Sequence, residues 1–179
     1  MQAQDILTFW FEELTPKQHF VKDAALDATM RTRFGPTLQA AARGELWTWR
    51  TSGQGRLAEI LVLDQFSRNI FRDTPQAFAQ DALALVLAQE LVASGQDRNL
   101  SILQRAFAYM PYMHSESALI HTQAVALFSQ VGLEGNLSFE LRHQAIIARF
   151  GRFPHRNAVL GRSSSADELA FLAEPGSSF

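Results

Sequence analysis

The sequence holds no cysteine, which excludes disulfides, thiol catalysis and zinc–thiolate sites. Lysine is nearly absent: Lys17 and Lys22 stand against an arginine-dominated total of 16 basic residues. Charged residues make up only 19% and the formal net charge is -2, so no bulk attraction to nucleic acid or to an anionic lipid surface is indicated. Long apolar runs are missing. The best, Ala77 to Ala93, is interrupted by Asp81, Gln89 and Glu90 and falls short of the ~20 residues a spanning helix needs. The opening MQAQDILTFWFEEL has no basic segment before its apolar residues and does not read as a secretory signal. A soluble, cytoplasmic protein is expected, with neither membrane nor nucleic acid among its partners. Gly53-Gln54-Gly55 lacks the preceding strand and third glycine of a nucleotide loop, no Gly-x-Ser-x-Gly elbow occurs, and none of Asp64, His114, Glu116, His121, His143 and His155 pair with one another as His-x-x-x-His or Glu-x-x-His on one helix. No metal and no cofactor is therefore expected.

What is present is a sizeable apolar fraction, 47% of 179 residues. A chain of this mass buries roughly 70% of its unfolded surface, so one core can form without staples. Sustained alternation of β-branched residues is not seen, and helical periodicity runs from end to end. The pattern predicts about nine helices in a single all-α domain, 1–179, with short connections that favour antiparallel pairs. The first helix is expected over Gln2–Leu14, a short one after Thr15-Pro16, and one over Asp23–Phe34 that stops at Gly35-Pro36 and restarts to Arg43. Others are expected over Arg56–Ile70, from Thr74-Pro75 to Ser94 with Gly95 just beyond, and over Ser101–Met110, Ser115–Val131 and Ser138–Arg149. Ser115 and Ser138 are read as N-caps, and Ser165 to Glu168 opens a last short helix. The helix behind Pro75 is apolar around most of its circumference and is expected to be central.

Polar residues that interrupt apolar faces are the candidate site residues. In the stripe Leu57, Leu61, Asp64, Arg68, Phe71, the i, i+4 order of acid then base favours an ion pair at a partly buried position. His143 sits in a second stripe, Phe139, His143, Ile146, Phe150, Phe153. The adjacent face carries Arg142, Arg149, Arg152 and, past Pro154, Arg156. Guanidinium forks bind carboxylate or phosphate bidentately, so Arg149, Arg152, His155 and Arg156 are read as an anion pocket. The alternative is that these arginines pair with carboxylates of other helices, Asp64 among them. Tyr109 to Glu116 reads as a helix–Pro–helix corner, where His114, Ser115 and Glu116 meet a helix N-terminus able to attract an anion.

As a group these residues resemble the bacterial domain-of-unknown-function family 924. The resemblance rests on Ile6-Leu7-Thr8-Phe9-Trp10-Phe11, on Asp64-Gln65-Phe66-Ser67-Arg68-Asn69, on Tyr109-Met110-Pro111 through His114-Ser115-Glu116, on Arg149-Phe150-Gly151-Arg152-Phe153-Pro154-His155-Arg156-Asn157, and on the closing Pro175-Gly176-Ser177-Ser178-Phe179. Ser67 and Ser117 depart from the family's pattern, where proline and an acid are expected. The resemblance implies a tetratricopeptide-like, right-handed stack of helical hairpins and no particular activity.

Three readings follow. The first is a binding module whose cleft, lined by Asp64, Arg68, Tyr109, His114, Glu116, His143, Arg149, Arg152, His155, Arg156 and Asn157, takes an anionic small molecule or a peptide carboxylate. The second is an enzyme on an anionic small molecule, with His114 or His155 moving the proton. The third is a protein-interaction scaffold in which the polar cluster is structural. The sequence leaves the oligomeric state open. Phe179, an aromatic ring beside a terminal carboxylate, is a candidate to dock on the arginine-rich segment.

Overall fold

The computed structural model describes residues 1–177; Phe179 and its candidate docking contact lie outside them. The fold is all-α, and among the described residues there is no strand.

The first helix, α1 (Ala3–Thr8), continues into a π turn over Phe9–Glu13 and buries Ile6, Leu7, Phe9 and Trp10. The stretch after Thr15-Pro16 forms turns and no helix: the Gln18 side chain accepts from the Thr15 amide and hydroxyl, closing the chain on itself. Asp23 caps α2 (Ala24–Ala42), accepting from the amides of Ala25 and Leu26. The break expected at Gly35-Pro36 does not occur, and Pro36 lies inside α2. The residue before the ring is glycine, so the Cβ clash that normally ends a helix before proline is missing. Pro36 and Thr32 are exposed, which leaves the orphaned Thr32 carbonyl to water. Met30, Phe34, Leu38 and Ala41 stay buried as one stripe across the proline.

A 3-10 turn (Trp47–Thr51) leads to α3 (Gly53–Leu61), capped by Ser52. Gly55 is required here: a Cβ on it would stand 1.9 Å from the Trp49 carbonyl oxygen. The rod continues without interruption through a π turn (Val62–Phe66) into α4 (Ser67–Ile70). Nearly every side chain from Leu57 to Ser67 is buried, so this rod is the centre of the molecule, and α3 packs against α1, α5 and α6. The centre was expected at the helix behind Pro75. That stretch is a 3-10 turn (Pro75–Phe78) followed by α5 (Asp81–Ala93). It buries Ala84, Leu87, Ala88 and Leu91 on one side and leaves Val86 half exposed. Apolar composition alone does not rank helices by burial when every neighbour also needs cover. The C-terminal signal was right: Gly95 adopts φ 68°, where glycine has no Cβ penalty.

After a 3-10 turn (Gln96–Asn99), a reciprocal Ser101–Gln104 capping box opens α6 (Ile102–Met113), which contains Pro111. Next come α7 (Ala118–Phe128) and α8 (Glu134–Phe150). Ser115 is not the cap of α7; its hydroxyl accepts from the Ser117 amide in the turn ahead of it. Ser138 lies inside α8, which starts at Glu134, whose carboxylate accepts from the Gly132 amide. Gly151 ends α8 at φ 69°, and a 3-10 turn (Pro154–Arg156) leads to α9 (Ala166–Leu172), opened by the Ser165–Glu168 capping box. Along this half α5, α6, α7 and α8 each pack on the next. A small separate core of Ile146, Ile147 and Phe153, with Phe150 and Phe171 against it, holds the C-terminal segment. Among the described residues no helix is long and apolar enough to cross a membrane.

Candidate functional site

The π turn in the central rod carries Asp64 and Gln65. Such turns insert one residue per helical turn and often mark functional positions. Asp64 is 1% exposed at its side chain. Its Oδ1 forms an ion pair with Arg68 Nη1 at 3.0 Å, as the i, i+4 spacing predicts, and accepts from His114 Nδ1 at 2.7 Å; Arg68 Nη1 donates to the Asp64 carbonyl oxygen at 2.9 Å. Gln65 Nε2 donates to its Oδ2 at 2.5 Å. The Arg68 fork then closes on Asp81, at 2.9 and 3.1 Å. Arg156 donates to the same Asp81 carboxylate at 3.1 Å and to the His114 carbonyl at 3.1 Å. Its guanidinium lies 4.6 Å from the ring centres of both Phe78 and Phe153. The central rod, the start of α5, the end of α6 and the segment after α8 thus meet at one point.

Two carboxylates and two guanidinium groups balance, so the cluster is neutral when His114 is uncharged. Burial lowers the His114 pKa, and the Arg68 charge adds to it, with Asp64 only partly opposing. Burial alone would raise Asp64, but Arg68, His114 and Gln65 outweigh it and hold the carboxyl far below the usual range. At neutral pH Asp64 is therefore ionised and His114 neutral. A carboxylate only accepts, so the single ring proton of His114 sits on Nδ1 and Nε2 is bare. Nε2 makes no hydrogen bond among the described residues, and the side chain is 16% exposed. The result is an oriented imidazole with a bare nitrogen and an ionised carboxylate behind it.

The other predicted residues fall in three places. Tyr109 is fully buried; its hydroxyl donates to Asp97 at 2.6 Å and accepts from Gln130 at 3.3 Å. Burial and Asp97 push that hydroxyl up to about 12. Tyr109 belongs to the core and lines no cleft. Glu116, His143, His155 and Asn157 pack around the segment after α8. Glu116 accepts the Arg162 fork at 2.7 and 2.9 Å and the Phe153 amide at 2.8 Å. Asn157 is buried and donates to Ser164. His143 donates from Nδ1 to the Phe139 carbonyl at 2.8 Å, and burial lowers it to about 3. Burial and the adjacent Arg156 lower His155 to about 4.

The anion pocket expected from Arg149, Arg152, His155 and Arg156 is divided. Arg156 turns inward to Asp81. Arg149 and Arg152 face an open hollow of about 440 Å³, shared with Phe150, Ser165, Asp167 and Glu168. Arg152 there forks onto Glu168 at 2.7 and 2.8 Å, and Arg149 stacks on Phe150 and Phe171. Sequence reasoning missed Asp81, Phe78 and Gln65. Asp81 registered only as an interruption of an apolar run. Its signal was an acid in the first turn of a helix that is otherwise apolar. Among the described residues no three His, Cys, Asp or Glu side chains are grouped to hold a metal ion.

The fold and site define an all-α protein with a buried Asp–His–Arg cluster. The model of DUF924, a family of bacterial proteins of unknown function, matches residues 6–176, and the chain belongs to that family. A solved structure, a protein of unknown function from Agrobacterium tumefaciens, is 39% identical, covers 96% of both chains and superposes with a TM-score of 0.91. No curated protein matches the chain.

Proposed function

We propose that the protein is an enzyme in which His114 is the general base, taking a proton at Nε2 from water or from a substrate hydroxyl. The observation that carries this reading is the Asp64–His114 hydrogen bond of 2.7 Å beneath an unsealed ring. It fixes the tautomer and supports the imidazolium that forms on proton transfer. The charge balance favours proton transfer over a pure anion-binding role at this point, because Asp81 already occupies both the Arg68 and Arg156 guanidinium groups. The test is turnover of chromogenic carboxylic and phosphate esters. Activity that drops on the order of 10²–10⁴-fold in His114→Gln supports the reading. Activity that survives this change, or no turnover across both ester classes, counts against it.

A second reading places anion binding at the outer hollow. Arg149 has no ion-pair partner among the described residues and stacks over Phe150 at 4.6 Å. A phosphate or dicarboxylate that raises the melting temperature of the protein, but not of Arg149→Ala, supports it; equal shifts in both proteins count against it. The successive packing of α5 through α8 supports a stack of helical hairpins as the finer architecture.

A further inference from the structure

His121, on α7, takes no part in the cluster above. It is fully buried, and both ring nitrogens are held: Nδ1 lies 2.6 Å from Glu140 Oε1 on α8, and Nε2 lies 2.8 Å from the Ser115 carbonyl oxygen in the corner that follows α6. A carbonyl oxygen only accepts, so Nε2 carries a hydrogen. Turning the ring over would set two carbons against the same oxygens, so the assignment is fixed by the contacts. A neutral imidazole has one N–H. With that hydrogen on Nε2, Nδ1 is bare, and a bare nitrogen against an ionised carboxylate would set lone pair against lone pair. A proton must lie between them. Either an imidazolium faces a carboxylate, or a neutral imidazole accepts from a carboxylic acid. In both cases the pair holds one proton more than a separate histidine and carboxylate hold at neutral pH. Glu140 Oε2 is buried with no partner, which disfavours the ionised acid.

We propose that His121 and Glu140 share a proton retained at neutral pH, and that this proton ties α7 to α8 beside the corner bearing His114, a tie that is lost as pH rises. The groups facing His121 are Glu140 and His143 from α8, the Ser115 carbonyl from the corner, and the Phe153 ring 6.2 Å away. His143 stays uncharged because burial lowers it to about 3, so it does not expel the proton. Burial raises the Glu140 carboxyl, against the opposing pull of His121. A raised folded value means stabilisation that is complete at low pH and is lost as pH climbs through that value.

The test compares melting temperatures of the wild-type protein and Glu140→Gln from about pH 6.5 upward. The glutamine amide donates to a bare Nδ1 and has no proton to lose. The wild-type value is expected to fall relative to the variant as pH rises, and a constant difference across the range would overturn the proposal. Ring-nitrogen and carboxyl-carbon NMR of the wild-type protein gives an independent readout if the variant fails to fold. Nε2 is expected to stay protonated throughout, with Nδ1 and the Glu140 carboxyl changing together in one step above pH 7. A bare Nε2, or a step completed below pH 7, would overturn the proposal.

Discussion

Replacing Asp64 by asparagine keeps the volume and removes the charge. The side-chain oxygen of the new residue, set where Oδ1 now lies, can still accept from His114 Nδ1 at 2.7 Å. Its amide then takes the place of Oδ2 and faces Gln65 Nε2, which lies 2.5 Å from that oxygen; two donors cannot share that contact, so the Gln65 amide must turn over. The charge balance also fails, with two guanidinium groups against Asp81 alone. Removing one partner of a buried pair costs about 3–5 kcal/mol. The Arg68 side chain is 19% exposed, which places the loss near the lower bound, about 3 kcal/mol. For a chain of this length that lowers the melting temperature by about 6–12 °C. The assay is a melting curve on Asp64→Asn, Arg68→Met and the double variant. Because the double variant restores the charge balance, its loss should be smaller than the sum of the single losses. An Asp64→Asn melting temperature equal to wild type, or strictly additive losses, would refute the argument that these charges are buried and coupled.

Acid should weaken the fold well before the carboxylates titrate. His143 and His155 are held at about 3 and about 4, whereas the unfolded chain protonates histidine near 6.5. The unfolded state therefore binds more protons between these values, and stability falls as pH drops from about 6.5 to about 4, by roughly 1.4 kcal/mol per pH unit per histidine. Denaturant midpoints at several pH values check this, and a midpoint flat over that window would contradict it. Phe153 is fully buried between the rings of His121, His143 and His155, so Phe153→Ala should cost about 3–5 kcal/mol in chemical denaturation. The glycines separate cleanly: Gly55→Ala meets the Trp49 carbonyl and should destabilise, while Gly135→Ala, inside α8 with nothing within 4 Å, should stabilise by roughly 0.5–1 kcal/mol. Melting curves that fail to separate the two variants would contradict the contact geometry.

Much of the fold was legible in the sequence because helix signals are local. Ser101, Ser165 and Gly95 act where short-range chemistry places them. The errors arose where a local signal met a tertiary context. Gly35-Pro36 reads as a stop, yet a buried stripe on both sides of an exposed proline holds α2 together. Ser138 looks like a cap, yet α8 already runs from Glu134. In the site, the Asp64–Arg68 pair was readable because both ends lie on one helix. Asp81 was not, because its partners are 13 and 75 residues away in the chain. Tyr109 matched a motif, but no pattern in its own segment could say that Asp97 would claim its hydroxyl.

The central claim is that His114 is neutral at pH 7, with its proton on Nδ1 and Nε2 bare. Long-range nitrogen–proton NMR of the ring across a pH titration reads both nitrogens directly. The account predicts a protonated Nδ1 and an unprotonated Nε2 in the wild-type protein at pH 7. An imidazolium at pH 7, or a proton on Nε2 in the wild type, would contradict it.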